Sequence, residues 1–209
     1  MAYRCVATSV AGFVQQLAVA YVTHGYWFYV TGRVPEHKDP GLVDRKIIER
    51  YGIDVSKWTR ARRRRAGLAN VQYLRYGRFF ILLATHGDHQ FFAEEGGQIR
   101  DVRRTPIKFM GYSIGCRQAR NGGRYHASVR IQSEPYNTLK ASFEKMALHR
   151  SVNSIQAEFW GLNFEPYAPV RAQLFSALRA VNHARQKAGL EPVTTVPFRV
   201  RRVPVRPFG

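Results

Sequence analysis

Acidic residues are scarce in this chain, whose 209 residues include 14 Asp and Glu against 33 Lys and Arg, for a formal net charge of +19. So large an excess of one sign repels itself in a compact fold and attracts polyanions. The basic residues are mostly arginine, whose planar guanidinium matches phosphate oxygens and stacks on bases. The composition therefore predicts nucleic acid as the partner, with an acidic protein as the alternative.

Cysteines and long apolar runs are also scarce, and each scarcity excludes a class of protein. Cys5 and Cys116 cannot build a framework of disulfides and have no zinc-binding spacing, so we expect a reducing, cytoplasmic compartment. The apolar segment 10–22 is too short to span a bilayer and is interrupted by Gln15 and Gln16. We therefore expect no membrane partner.

The order of hydrophobic patterns predicts the fold class. Apolar residues at helical spacing predict an N-terminal helix over 9–22, a helix after an Asp39 cap, and helices in the last third of the chain. Between them, runs of strand formers separated by glycine predict strands, including one over 89–97. We expect an α+β fold with a mostly antiparallel sheet of about five to six strands between N-terminal and C-terminal helices.

Residues 1–190 are expected to form a single domain, and residues 191–209 an extended basic C-terminal arm. This tail is rich in proline and arginine. Proline prevents it from continuing the preceding helix, and its few apolar residues leave it little to bury.

Arginine is clustered in several separate segments, and the densest has five arginines within positions 60–65 and no acidic residue between Asp54 and Asp88. A short helix here would point them in several directions, because one turn holds about 3.6 residues. A solvated surface turn is the alternative, but solvated faces normally mix both signs, so the cluster favours phosphate binding. The candidate nucleic-acid-binding residues are Trp58, Arg60, Arg62, Arg63, Arg64, Arg65, Arg103, Arg104, Lys108, Arg117, Arg120, Arg124, Arg199, Arg201 and Arg202.

Aromatic residues adjoin several of these arginines, among them Trp58 and Tyr125. Exposed rings would stack on unpaired bases, whereas buried rings would belong to the core. No recognition helix for the major groove is apparent, so single-stranded or structured RNA is favoured over DNA, whether free or within a ribonucleoprotein. The turn at 121–123 predicts a β-hairpin whose arms carry arginine.

Histidine and carboxylate residues occur together over 85–95, a pattern that could bind a divalent cation. The candidate ligands are His86, Asp88, His89 and Glu94, with magnesium or manganese favoured over zinc. A metal here would support a nuclease or strand-transfer reaction. A turn rich in Gly, Asp and His also forms without any metal, which is the structural alternative.

The candidate catalytic residues for this alternative function are His86, His89, His126 and Tyr136. An imidazole titrates near neutral pH and can act as a general acid or base in phosphodiester cleavage. A tyrosine on a helix would supply a nucleophilic hydroxyl. A single histidine on a strand, however, is also common as an ordinary packed or surface residue.

Overall fold

The structure, a computed structural model, describes residues 3–119 and 122–209 of an α+β chain. The chain divides into two compact units. The first comprises Met1–Ile107, Ile114–Ser128 and Pro204–Gly209, and the second comprises Lys108–Ser113 and Val129–Val203. Residues 191–203 of the tail belong to the second unit and residues 204–209 to the first.

The first unit contains four helices and a four-stranded sheet. Its first helix is α1 (Val10–Gln15), which continues directly into a π-helix (Gln16–Tyr21) and a 3-10 turn (Val22–His24). The elements after it are β1 (Phe28–Arg33), α2 (Pro40–Arg50), α3 (Lys57–Arg65), β2 (Val71–Tyr76), β3 (Phe79–Ala84), α4 (Gln90–Glu95), a 3-10 turn (Gly96–Gln98) and β4 (Arg100–Asp101). Asp39 caps α2 by accepting a hydrogen bond from the Leu42 amide, as predicted, and Pro40 occupies the first helical turn.

The sheet of the first unit has the strand order β2-β3-β1-β4, and its pairs are antiparallel. Tyr73 lies opposite Leu82, and Leu82 opposite Val30, so these three side chains share one face. They pack in one apolar cluster with Tyr51, which follows α2, and with Phe91 of α4. Helices therefore cover this face of the sheet.

The opposite face of the same sheet packs against α1. Phe13 of α1 makes edge-to-face contacts with Tyr76 of β2 and Phe79 of β3. Leu74 and Ile81, neighbours across these strands, are fully buried. Because both faces are covered, the central strand β3 is apolar throughout rather than alternating, which is the pattern of a strand buried on both sides.

The second sheet has the strand order β5-β6-β7, formed by β5 (Ile107–Phe109), β6 (Tyr112–Gln118) and β7 (Tyr125–Ile131). β6 and β7 form a hairpin, as the glycine-rich turn predicts. Gly122 has a positive φ of 69°, and its amide donates to the Ala119 carbonyl. Asn121 of the predicted turn and the adjacent Arg120 lie outside the described residues.

The second unit contains α5 (Ser133–His149), α6 (Val152–Trp160) and α7 (Ala168–Lys187). The rings of Phe143 and Phe159 stack between α5 and α6 at a centroid distance of 3.9 Å. The buried Arg185 guanidinium of α7 donates to the carbonyls of Ala147 and Arg150 at the end of α5, where a cation favours the helix dipole. None of the helices within 3–119 and 122–209 is long and apolar enough to cross a membrane.

One expectation about local structure is wrong, and the expected burial of the tail and number of strands are not confirmed. Segment 89–97, predicted as a strand, contains α4, because the His89 side chain caps a helix whose Phe91 is buried. The tail buries more than expected, since Val193 and Phe198 are buried and Phe198 contacts Phe159 and Phe175. The described residues also form seven strands in two sheets rather than five to six in one.

A buried ion pair joins α2 to β2 in the first unit. The Arg75 guanidinium donates from Nε to Asp44 Oδ1 and from Nη2 to Asp44 Oδ2, each at 2.8 Å. The Tyr73 hydroxyl donates to the same Oδ1 at 2.6 Å. Asp44 is only 5% exposed, so its charge depends on these partners rather than on water.

We expect Asp44→Asn to lower the free energy of unfolding by about 3–5 kcal/mol, because it leaves the buried Arg75 cation without a counter-ion. Urea unfolding followed by circular dichroism measures the loss. Glu144→Gln is the control, since the Lys140–Glu144 pair of α5 is exposed, and such a pair contributes less than about 1 kcal/mol. Similar losses for both variants would contradict the structural role of Asp44.

Gly87 is required where two chain segments cross. The Asp88 amide donates to the Gly67 carbonyl, and the Ala69 amide donates to the Asp88 carbonyl. A Cβ atom at Gly87 would lie 2.5 Å from the Gly67 oxygen, and φ at Gly87 is +132°. Both observations exclude a side chain at this position.

We expect Gly87→Ala to destabilise the protein by more than about 2 kcal/mol, through backbone strain and the displaced contact. The control is Gly97→Ala, whose added methyl group meets no atom within 4 Å and should change stability by less than about 0.5 kcal/mol. Thermal unfolding of the two variants compares them directly. Equal melting temperatures would show that the crossing tolerates a side chain.

Candidate functional site

The arginine cluster forms helix α3, which begins after Ser56. The Ser56 hydroxyl caps the helix by accepting from the Thr59 amide at 3.1 Å. Four arginines occupy its last turn, where cations interact favourably with the helix dipole, each by roughly 0.3–1 kcal/mol. Part of the clustering therefore has a structural explanation.

Two arginines of α3 also hold the connection between α2 and α3. Arg60 donates to the Ile53 carbonyl at 3.3 Å, and Arg63 donates to the Gly52 carbonyl at 3.2 Å. Arg62, Arg64 and Arg65 are exposed. Among the described residues, no ion pair involves any of the α3 arginines. The positive charge of the helix is therefore not neutralised by neighbouring carboxylates.

One face of α3 lines a cavity of about 460 Å³ in the first unit. Lys57, Arg60, Ala61 and Arg64 contribute to its wall, and these positions follow the spacing of one helical face. Arg4 also lines the cavity. Four basic side chains therefore border a single cavity, and no Asp or Glu is among its lining residues.

The π-helix and the 3-10 turn that follows it supply another part of the cavity lining. Gln16, Ala20, Tyr21 and His24 contribute. Hydrogen bonds from i to i+5 in a π-helix bring residues four to five apart onto one face, whereas an α-helix brings residues three to four apart onto one face. π-Helical turns are frequent at functional sites, and this one positions a polar Gln16 and a tyrosine at the cavity.

Buried polar groups from the sheet complete the cavity. Gln72 of β2 is 6% exposed; its amide nitrogen donates to the Tyr26 hydroxyl at 3.2 Å. The Tyr3 hydroxyl lies 2.7 Å from Gln72 Oε1 and accepts from the Tyr73 amide at 3.0 Å. These bonds fix the orientation of the Gln72 amide and of two tyrosine rings.

The hydroxyls of Tyr3 and Tyr21 at the cavity are neutral groups at physiological pH. Burial raises the pKa of Tyr21, although the nearby Arg60 charge acts in the opposite direction. Burial likewise raises the pKa of Tyr3 well above its ordinary value. The cavity thus combines cationic side chains with uncharged hydrogen-bonding groups.

Arg60 carries an unsatisfied donor at this cavity. Its Nε is buried and has no hydrogen-bond partner, although its Nη2 donates to the Ile53 carbonyl. A buried donor without a partner costs about 1–3 kcal/mol.

Trp58 is 72% exposed at the start of α3. The Lys57 ammonium lies 5.2 Å from the centroid of its ring. A tryptophan this exposed is not a core residue, and its ring is accessible for stacking beside the exposed arginines.

Arg103 is already engaged within the first unit. Its guanidinium donates to both carboxylate oxygens of Asp101 and lies 4.4 Å from the centroid of the Trp27 ring. Burial opposes ionisation of Asp101, but the hydrogen bonds from Arg103 outweigh burial, and the pKa of Asp101 is lowered. Tyr125 packs on Trp27 at 4.9 Å and is partly enclosed rather than freely exposed.

The other candidate binding residues do not line the α3 cavity. Arg104, Lys108, Arg117, Arg124 and Arg201 are exposed at separate places in the chain. In the second unit, Arg199 pairs with Glu165 at 3.4 Å, and the Arg202 guanidinium lies over the Tyr167 ring at 5.1 Å. Arg120 lies outside the described residues.

The candidate metal ligands have other roles. The His89 ring caps α4 by accepting from the Phe91 amide at 3.1 Å, and Glu94 pairs with Arg50 at 2.8 Å. Asp88 uses its backbone to bind residues 67 and 69, and the side chains of Asp88 and His86 are exposed. Within 3–119 and 122–209, no three His, Cys, Asp or Glu side chains are placed to hold a metal ion.

The remaining catalytic candidates are separate from this segment. His126 is exposed on β7. The Tyr136 hydroxyl of α5 donates to the Gln173 carbonyl of α7 at 3.1 Å, which is a bond between helices. Among the described residues, no hydrogen bond joins His126 or Tyr136 to another candidate catalytic residue.

Sequence reasoning missed most of the cavity apart from Arg60 and Arg64. Lys57 could have been found, because it precedes Arg60 and Arg64 by one and two helical turns. Gln16 had a weaker signal as a polar interruption of an apolar segment. Tyr3, Arg4, Tyr21, Tyr26, Gln72 and the other lining residues, Ala20, His24 and Ala61, had none, since only folding brings these distant segments together.

We expect stability to fall as the pH is lowered from about 6.5, because burial lowers the pKa of His89. The unfolded chain then binds a proton more readily than the folded chain, and protonated Nδ1 cannot accept the Phe91 amide. His89→Asn retains a capping acceptor without titrating. Urea unfolding between pH 7 and 5 should show a smaller decline for this variant, and an equal decline would contradict the role of His89.

Comparisons with protein-family models, with curated proteins and with solved structures give no match to this chain.

Proposed function

We propose that the chain is a nucleic-acid-binding protein that grips the phosphate backbone through helix α3. The observation that carries this proposal is the set of exposed arginines on α3 without ion-pair partners among the described residues, beside the exposed Trp58 ring. A guanidinium cluster without carboxylate partners is suited to phosphate oxygens. A neighbouring exposed indole is suited to an unpaired base.

Single-stranded or structured RNA is the proposed ligand class. The short α3 has Arg62 and Arg65 exposed and Arg60 and Arg63 bound to backbone carbonyls, so it lacks the long free face of a recognition helix. Stacking on Trp58 requires bases that are not already paired and stacked in a duplex. A role within a ribonucleoprotein uses the same contacts.

The C-terminal tail is proposed as an accessory basic segment in such a complex. Arg201 and Arg206 are exposed, and residues 188–209 contain no helix or strand. Both cysteines are free and buried, in keeping with the reducing cytoplasm that we propose as the compartment.

We expect Arg62→Gln/Arg65→Gln to weaken binding to single-stranded RNA and to reduce the magnitude of the slope of log K against log salt by about 1.4, roughly 0.7 per lost phosphate contact. Glutamine preserves helix propensity, and neither arginine makes a structural hydrogen bond among the described contacts. Fluorescence anisotropy across a salt series, with and without magnesium or manganese, measures the slope and reports any cleavage.

The control for this experiment is Arg45→Gln/Lys46→Gln, which removes the same charge from exposed positions of α2. It should reduce affinity only slightly and leave the slope near that of the unchanged protein. Equal slopes for the α3 variant and the unchanged protein would remove α3 from the interface. A failure of every RNA and DNA probe to bind at low salt would contradict the proposed function as a whole.

A further inference from the structure

The cavity beside α3 has the features of a site for a discrete anion rather than of a flat backbone track. Lys57, Arg60, Arg64 and Arg4 line it without a carboxylate among the lining residues. Like charges gathered around one cavity without a carboxylate among them repel one another. An anion in the cavity would relieve this repulsion.

Arg60 is the lining residue most clearly prepared for a ligand. Hydrogen bonding to the Ile53 carbonyl holds its guanidinium, so less side-chain freedom is lost when a ligand binds. Its buried Nε still lacks an acceptor. A guanidinium held in this way is suited to a phosphate oxygen.

The size and the uncharged lining of the cavity indicate more than a bare phosphate. Its volume of about 460 Å³ is in the range of small-molecule sites, roughly 300–1,000 Å³. The partly exposed Gln16 and the exposed His24 provide an amide and an imidazole at the same cavity, whereas the Gln72 amide is already bonded to Tyr3 and Tyr26. Such groups can bind a ribose hydroxyl or a base edge, so a nucleotide fits this lining better than inorganic phosphate does.

The number of cations at the cavity fits the end of a nucleic-acid strand better than its interior. An internal phosphodiester carries one negative charge, whereas a phosphomonoester carries about 1.5 to 2 at pH 7. Four cations around one cavity exceed what a single diester would neutralise. The buried Gln72 and Tyr26 also line the cavity, which favours a unit that enters it over a chain that passes across it.

We propose that this cavity binds the terminal nucleotide of a nucleic-acid strand through its phosphomonoester, with Lys57, Arg60 and Arg64 contacting the phosphate. This inference rests on the proposed function and adds to it a preference for a phosphorylated end. The 5′ and 3′ monoesters share the required charge, and the experiment distinguishes them.

The test measures binding of single-stranded RNA oligonucleotides of about 12 nucleotides with one sequence and an internal fluorophore. Three forms are compared, with a 5′ phosphate, with a 3′ phosphate or with hydroxyls at both ends. We expect one phosphorylated form to bind at least about tenfold more tightly than the hydroxyl form. The added charge alone would give a ratio of roughly two. The variant Lys57→Gln/Arg64→Gln should reduce this ratio to about two or less.

Arg62→Gln/Arg65→Gln is the matched control, since it removes the same charge from the same helix away from the cavity lining. It should weaken all three oligonucleotides while preserving the ratio. Thermal unfolding verifies that both double variants fold. Equal affinity for the three oligonucleotides, or a ratio that survives Lys57→Gln/Arg64→Gln, would overturn the inference while leaving the proposed function in place.

Isothermal titration with a nucleoside monophosphate and the matching nucleoside tests the cavity without a strand. We expect only the monophosphate to bind, and only when Lys57 and Arg64 are present. If no oligonucleotide bound but the monophosphate did, the proposed function would fail and the cavity would remain a nucleotide site. If neither bound, both proposals would be overturned.

Discussion

The buried contact between Asp44 and Arg75 organises the first unit. It connects α2 to the edge strand β2, and the Tyr73 hydroxyl and the Cys5 thiol lie against the same carboxylate, the sulfur 3.9 Å from Oδ2. The Arg75 backbone also binds the N-terminal segment, donating to the Cys5 carbonyl and accepting from the Ala7 amide. The segment that carries Tyr3 and Arg4 is thereby fixed beside β2.

The Asp44 carboxylate is a buried charge, and both of its oxygens accept hydrogen bonds. Burial, with the nearby Asp44 charge, raises the pKa of the Cys5 thiol to about 12, so Cys5 is a neutral core residue. A buried ion pair gives little net stability compared with an apolar replacement, but breaking it is costly. Here it holds α2 against β2.

The distribution of positive charge follows from this framework. Arg75 and Arg185 are satisfied inside the fold by a carboxylate and by backbone carbonyls, respectively, and Arg103 by Asp101. In α3, only Arg60 and Arg63 bind backbone carbonyls, and the other arginines face solvent or the cavity. The high arginine content thus contains structural cations and a smaller set available to a ligand.

The sequence by itself determined the α+β class, the cap of α2, the hairpin before β7 and the unpaired charge of α3, because periodicity, capping and charge are local properties. It misassigned α4, since the adjacent Phe91 and Phe92 fit a strand as well as a helix until the His89 cap is considered. Only the tertiary structure decided that Arg103 is paired and that Tyr3, the π-helix, α3 and Gln72 surround one cavity. Contacts between residues distant in the chain depend on how the elements pack, and no local pattern encodes that arrangement.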